Sequence, residues 1–268
     1  MTVLESIVEG VREDLAERKR QTPLTQLRDK IDQISPALPA AQNLSDRGFS
    51  VIAEVKRSSP SKGDLAPITD PKRLANQYAE GGAQIISVLT ERRRFSGSLA
   101  DLVAVRDAVE TPILRKDFMV DEYQVFEARA FGADVILLIA ASLADSQMSD
   151  LNDLATELGL SVLVEVHDEN ELERALDISP KLLGVNARNL KTLEVDLATC
   201  HRLLPMIPKG IVPIAESGIS TLNDVKELVL NGARGILVGE TLVKSGNPTE
   251  TIQEWTEAGL EWAKEGRG

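Results

Sequence analysis

The sequence predicts an α/β fold, a closed (β/α)8 TIM barrel with an N-terminal helical extension. Three observations predict it: eight short Val/Ile/Leu-rich runs, helix-length amphipathic stretches between them, and a length of 268 residues. Apolar runs without polar alternation read as strands covered on both faces, as in a parallel sheet. Eight such units in about 250 residues is the count of a barrel that closes on itself as one domain. A doubly wound open sheet is the rival. The turn after the first run, KRSSPSKG, lacks the G-x-G-x-x-G that a dinucleotide-binding sheet of that kind carries. No linker or low-complexity tract divides the chain, so residues 1–268 are taken as one domain, with 1–47 as the extension.

The extension comes first. Val3, Leu4, Ile7, Val8, Val11 and Leu15 recur at helical spacing, which predicts an amphipathic helix from Thr2 to about Gln21. Ser35, Pro36 and Pro39 then break the pattern. The helix is expected beside the barrel mouth, and the stretch on to about Arg47 is expected to help cover a bound substrate and exclude water. Strands are expected at Phe49–Val55, Gln84–Leu89, Pro112–Leu114, Asp134–Ile139, Ser161–Val166, Leu182–Val185, Ile211–Ala215 and Gly235–Val238. Helices are expected between them, among them Pro71–Glu80, Glu122–Phe131, Asp150–Leu158 and Leu222–Leu230.

Composition excludes several function classes. With 30 basic and 42 acidic residues the formal charge is −12, which argues against a nucleic-acid partner but not against a small anionic substrate met by a few local lysines. No apolar run reaches the roughly 18 residues of a membrane span. Acidic and basic residues from Glu5 to Asp14 interrupt any signal-peptide core. The single cysteine, Cys200, cannot form an internal disulfide and fits a reducing cytoplasm, where it reads as buried filler. His167 and His201 are the only histidines, with no Cys/His ligand spacing, so no metal site is expected.

In a barrel of this kind the active site forms at the C-terminal strand ends. The first strand ends in Glu54 and Lys56, two apart and so on one side. Lys116 continues the line of Leu114, while Arg115 should face the other way. Glu165 follows Leu163, Asn186 and Arg188 share a side, and Glu216 continues Val212 and Ile214. One buried carboxylate can belong to a structural ion pair. Two lysines and three glutamates at one mouth are better explained by chemistry, because burying each ion costs several kcal/mol unless it is paired. Ser217 and Gly218 after the seventh strand and Gly239 after the eighth stand where such barrels bind phosphate through backbone N–H groups. The alternative is that these glycines simply hold tight turns.

The run IAEVKRSSPSKG, together with PILRKDF, LLIAASL, VLVEVHDENEL, LLGVNARNL, IAESGI and ILVGETLV, resembles the indole-3-glycerol phosphate synthase family over nearly the whole chain. The resemblance implies a carboxy-lyase of tryptophan biosynthesis. Its substrate is 1-(2-carboxyphenylamino)-1-deoxyribulose 5-phosphate, which cyclises with loss of CO2 and water. By the same resemblance Lys116 is the acid that protonates the ribulose carbonyl, and Glu165 is the acid–base carboxylate of the later dehydration. Lys56 contacts substrate anions and takes part in proton transfer. Glu54, Asn186 and Glu216 orient these groups and the sugar hydroxyls. Ser59, Phe95, Arg188 and Leu237 line the substrate pocket, and Ser217, Gly218, Gly239 and Glu240 form the phosphate end. Glu240 stands where other members carry Ser, so only its backbone N–H is given a role, its side chain being expected to point away.

A lysine acid works best when its pKa is drawn toward working pH, and burial with Lys56 as a second cation is expected to lower that of Lys116. No cofactor, nucleic acid or membrane partner is expected, and a monomer is the working assumption. Three rivals are weighed: a Schiff-base aldolase using Lys116 or Lys56; a non-catalytic sensor of a phosphorylated metabolite, against which Lys116 and Glu165 together count; and a sister barrel such as phosphoribosylanthranilate isomerase, which lacks the EVKRSSPSKG stretch and the long N-terminal segment.

Overall fold

The computed structural model describes residues 2–59, 63–64, 68 and 70–265, with the side chains of 59, 63 and 64 left aside. Three helices precede the first strand: α1 (Val3–Gln21), α2 (Leu24–Ile31) and α3 (Ala40–Arg47). The strands are β1 (Ser50–Val55), the short pair β2 (Ser58–Ser59) and β3 (Gly63–Asp64), then β4 (Ile85–Leu89), β5 (Ile113–Lys116), β6 (Val135–Ile139), β7 (Ser161–Val166), β8 (Leu182–Asn186), β9 (Val212–Glu216) and β10 (Gly235–Val238). Between and after them run α4 (Pro71–Glu80), α5 (Leu99–Arg106), α6 (Glu122–Ala130), α7 (Asp145–Glu157), α8 (Glu169–Leu176), α9 (Ala198–Leu203), α10 (Leu222–Leu230), α11 (Glu240–Lys244) and α12 (Pro248–Glu265). Eight parallel strands close the barrel in the order β1, β10, β9, β8, β7, β6, β5, β4, and β4 returns to β1. The predicted fold class is the observed one.

Strand alternation divides the apolar residues into two cores. Ile52, Ile85, Leu114, Leu137, Leu163, Leu182, Ile214 and Leu237 fill the barrel interior. Val51, Ala53, Ile86, Ile113, Val164, Leu183 and Ile236 face outward and pack with the helices. Both faces are buried, which is why these strands read as continuous apolar runs. The helices start at side-chain caps after the strand ends: Asp70 caps α4, Asp121 caps α6 and Asp168 caps α8, each accepting from backbone N–H groups of the first turn. Thr221 and Asp224 close a reciprocal capping box on α10.

Three strands run further than their apolar residues. β5, β8 and β9 include Lys116, Asn186 and Glu216 as their last residues. The ladder continues through these polar positions, with Leu89 opposite Lys116 and Asn186 opposite Glu216. Helix α7 starts at Asp145, five residues before the expected Asp150, because its first turn is polar and carries no apolar stripe.

The extension departs from expectation. Helix α1 does lie beside the mouth: Leu4, Ile7 and Val11 pack with Phe118 and Phe95, and Val3, Leu4 and Ile7 line a small cavity with Lys56, Arg188 and Leu190. It is held along its length by Arg94 on Ser6, by Arg93 on Glu13 and Asp14, and by Arg18 on Glu127 at 2.8 Å. The stretch up to Arg47 does not cover the mouth. The Leu38 N–H donates to Asp134 Oδ1 at 2.7 Å and the Ala41 N–H to Ser161 Oγ at 3.2 Å, both acceptors standing at the entry ends of β6 and β7. Helix α3 therefore closes the opposite end of the barrel, with Ala40 and Leu44 buried against its interior. Its two buried residues need an apolar surface, and the open floor of the barrel supplies one, whereas the mouth is lined by charges.

Candidate active site

The strand ends converge on a cavity of about 340 Å3. Lys116 stands at its centre from β5. Its Nζ bonds Glu165 Oε2 of β7 at 2.9 Å and also bonds Glu216 Oε2 of β9. From β1, Lys56 Nζ pairs with Glu54 Oε2 at 2.5 Å. Asn186 Oδ1 accepts from the Arg188 N–H at 2.9 Å, which fixes its side-chain amide at the end of β8. All six residues expected to act in catalysis thus meet in one cavity. The apolar wall opposite the charges consists of Leu89, Phe95, Phe118, Leu137, Ile139 and Leu190. The Phe95 and Phe118 rings are tilted at 37° with centroids 6.2 Å apart, and they bound an apolar slot suited to a flat aromatic ring.

Arg115 turns away from the cavity, as alternation requires. It is 1% exposed and pairs with Asp117 and Glu127 at 2.9 Å each, while Thr90 and the Gln124 carbonyl accept from it as well. The network fixes the end of β5 from behind and leaves Lys116 to face inward.

The electrostatics correct one expectation. Burial draws the Lys116 pKa down, but Glu165, Glu216 and Glu54 together raise it above the usual lysine range. Lys56 is paired with Glu54 and does not lower it. Lys116 is therefore a fully charged ammonium. Burial pushes Glu165 up, yet Lys116 and His167 overrule it and hold this carboxyl well below the ordinary range. Glu216 goes the other way: burial and the neighbouring Glu165 outweigh Lys116, and its pKa is pushed up to about 7. Two adjacent carboxylates with one shared ammonium are separated in this way, one kept ionised and one near neutrality.

The glycines are needed for space. Ser217 and Gly218 both have positive φ, 67° and 78°, and a Cβ on Gly218 would stand 2.6 Å from Val195 Cγ1. A Cβ on Gly239 would come within 2.9 Å of Glu54 Oε2. These turns, with Leu237 and the start of α11 at Glu240, line the same cavity. The Glu240 carboxylate is bonded to Lys244 at 2.7 Å, one turn along the helix, and also acts on Arg188. Its side chain is thus engaged at the rim rather than turned wholly away. The Ser59 side chain falls outside the described residues. Cys200 is buried behind β8, its thiol pushed up to about 12 by burial, which fits filler and not a nucleophile.

Sequence reasoning passed over Phe118 and Leu190, and also Gly184, whose missing side chain leaves room for Glu216. It treated His167 only as a failed metal ligand. The ring lies with Nε2 3.3 Å from Glu165 Oε1, and the signal was its place two residues beyond Glu165, on the same side of the strand. Among the described residues no group of three or more His, Cys, Asp or Glu is placed to hold a metal, and no helix is long and apolar enough to cross a membrane.

Comparison with known proteins agrees with this geometry. A family model described as indole-3-glycerol phosphate synthase matches residues 4–255. An indole-3-glycerol phosphate synthase of Nocardioides sp. is 57% identical over 256 residues, covering 96% of this chain and 98% of that protein. One from Arthrobacter sp. is 52% identical over 266 residues, covering 97% and 98%. Among solved structures, 3-hexulose-6-phosphate synthase from Salmonella typhimurium superposes with a TM-score of 0.65 at 14% identity, over 80% of this chain and all of that one (100%). Thiamine phosphate pyrophosphorylase from Pyrococcus furiosus gives 0.61 at 17%, over 82% and 99%. At such identities these two structures speak for the fold alone.

Proposed function

The chain belongs to the indole-3-glycerol phosphate synthase family, and on that premise we propose how its side chains divide the reaction. The activity is that of a carboxy-lyase of tryptophan biosynthesis: 1-(2-carboxyphenylamino)-1-deoxyribulose 5-phosphate closes to indole-3-glycerol phosphate, releasing CO2 and water. The observation that carries the assignment is the Lys116 ammonium held between Glu165 and Glu216 at the ends of three strands. The aryl ring lies in the slot beside Phe95 and Phe118, and the phosphate rests on the turns at Ser217–Gly218 and Gly239–Glu240, held by backbone N–H groups. The ribulose carbonyl then faces Lys116. As the ring carbon attacks, the carbonyl oxygen gains negative charge, and Lys116 donates a proton to it. Loss of CO2 returns the bonding electrons to the ring. In the dehydration the carbon next to the one bearing the new hydroxyl gives up its proton as the ring double bond forms, and the hydroxyl, protonated as it leaves, departs as water. Glu165 serves as the acid–base group of this step, and Lys56 assists the transfer and meets substrate anions. Glu54, Asn186 and Glu216 orient the two lysines and the sugar hydroxyls, with Arg188 and Leu237 completing the wall.

A Schiff-base route through Lys116 is disfavoured because an ammonium bonded to two carboxylates has no lone pair to attack a carbonyl. The chain is proposed to act as a single domain, 1–268, with 1–47 as its helical extension, as a monomer in the cytoplasm, and without nucleic acid or cofactor. The test is turnover of the carboxyphenylamino-deoxyribulose phosphate, followed by indole absorbance, in wild type and Lys116→Met. Wild type turns over, and the variant loses at least about 10²-fold in kcat while its substrate affinity is nearly kept. A variant that keeps most of its turnover number refutes the acid role.

A further inference from the structure

Glu165 is gripped from two sides, and the proposed reaction uses only one of them. Lys116 from β5 takes Oε2. On the other side His167 faces Oε1 at 3.3 Å, close enough for an ion pair though off the line of a hydrogen bond. The imidazole is fixed by Glu171 of α8, whose Oε2 accepts both the His167 backbone N–H at 2.8 Å and the bond from Nδ1 at 2.9 Å. Glu171 is itself set in place, because its backbone N–H donates to the helix cap Asp168 at 2.9 Å. The ring is 11% exposed, so solvent contributes little to holding it.

We propose that His167 is a positioning residue for Glu165: tied to Glu171 through Nδ1, it presents a cationic Nε2 to Oε1 and keeps Oε2 turned toward Lys116 and the substrate. The inference rests on the acid–base role proposed for Glu165. The groups facing this carboxyl are few. They are Lys116 from β5, Glu216 from β9 and His167 from its own strand end, with Glu171 behind His167 and Glu54 acting on Lys116. The remaining acids at the start of α8 are otherwise occupied, Asp168 in capping and Glu169 on Arg202 at 2.5 Å. Geometry dictates the charge of the ring. With a carboxylate at each nitrogen, both nitrogens carry protons, and although burial alone would lower its pKa, Glu165 and Glu171 raise it to about 10.

Two consequences follow. Without the imidazolium, Oε1 loses its cationic neighbour and the carboxyl is oriented by Lys116 alone, so the loss falls on turnover rather than on substrate affinity. Glu165 and Glu216 also share one cation fewer, so the upper ionisation of that pair rises. An opposite charge at this distance moves a carboxyl by about one unit or more.

The experiment measures kcat, KM and the pH profile of kcat/KM for His167→Asn, Glu171→Gln and Glu165→Gln, with thermal melting alongside. His167→Asn is expected to lose roughly 10-fold or more in kcat with KM little changed, its acid limb moving up by about one pH unit. Glu171→Gln keeps the shape of its side chain and touches no substrate. It is expected to shift the limb the same way by less, and it serves if the first variant folds poorly. Acid limbs unmoved in both variants, with only a lower melting temperature, overturn the proposal and leave His167 a packing residue. An active Glu165→Gln would instead overturn the reading of Glu165 on which it rests. An inactive Glu165→Gln with unmoved limbs in the other two confines the failure to His167.

Discussion

Gly184 offers a sharp test of how closely the charged centre is fitted. Its φ is not in the left-handed region, so the backbone itself would accept alanine there. The obstacle is Glu216. A Cβ on Gly184 would overlap Glu216 Oε1 and stand 3.1 Å from its Cδ and 3.4 Å from Leu163 Cδ1. Neither neighbour is loose, since Glu216 is 1% exposed and bonded to Lys116. Clearing the overlap moves the carboxylate by roughly an ångström, and a misplacement of that size costs about 10²-fold in rate, or about 2.7 kcal/mol of transition-state stabilisation. Overpacking adds about 1–3 kcal/mol of lost stability. For a chain of this length that lowers the melting temperature by about 2–4 °C per kcal/mol. Gly184→Ala is therefore expected to fold, to melt several degrees lower, and to lose kcat far more than KM, because Lys116 keeps Glu165 while losing its second partner. The assay is steady-state indole formation beside a thermal melt. A folded variant whose kcat stays within about threefold of wild type would sink the reasoning, since it would mean the Glu216 position is not critical.

Three further outcomes can be checked. Glu216 keeps its proton up to about pH 7 in the fold but loses it near 4.5 when unfolded, so stability falls as pH rises between those values. Glu216→Gln should consequently be the more stable protein above pH 7, with the advantage vanishing below about 4.5 in denaturant titrations; equal stability at pH 8 would contradict it. Leu44→Ala, in the helix that floors the barrel, should cost about 2–5 kcal/mol while leaving KM unchanged; a raised KM with intact stability would return that helix to the mouth. A crystal soaked in phosphate or sulfate should hold the anion between the turns at Gly218 and Gly239, and binding elsewhere with those turns empty would reverse the proposed substrate orientation.

The barrel was legible because its strands are buried on both faces and its helices open with strong caps. Asp70–Pro71 and Thr221 mark helix starts in the sequence as clearly as in the structure. The charged centre was legible from alternation alone, since Lys116, Glu165 and Glu216 each continue an inward apolar line. What escaped has physical reasons. Strand ends were placed at the last apolar residue, although pairing depends on backbone and runs on through Lys116, Asn186 and Glu216. The sign of the Lys116 shift depends on three carboxylates from three other strands, and no local pattern reveals their distances. Helix α3 went to the floor because two buried residues, Ala40 and Leu44, state that a surface is needed without saying which. His167 was hidden by its partner, since Glu171 reaches it only once Asp168 has turned the chain into α8.

The first three helices have a bearing on how the molecule comes to be made. Synthesis delivers them before any strand, yet the acceptors that fix Leu38 and Ala41 lie 96 and 120 residues further along. Until both acceptors and the strands of the floor have been made, the floor helix lacks the two bonds that fix it and most of the apolar surface it covers. Contacts of that sequence separation are slow to form, and a half-built barrel with an open floor is the species a chaperone would find to hold. The segment that seals the barrel at one end and flanks its mouth at the other is thus made ahead of the strands it rests on and is among the latest to find its place.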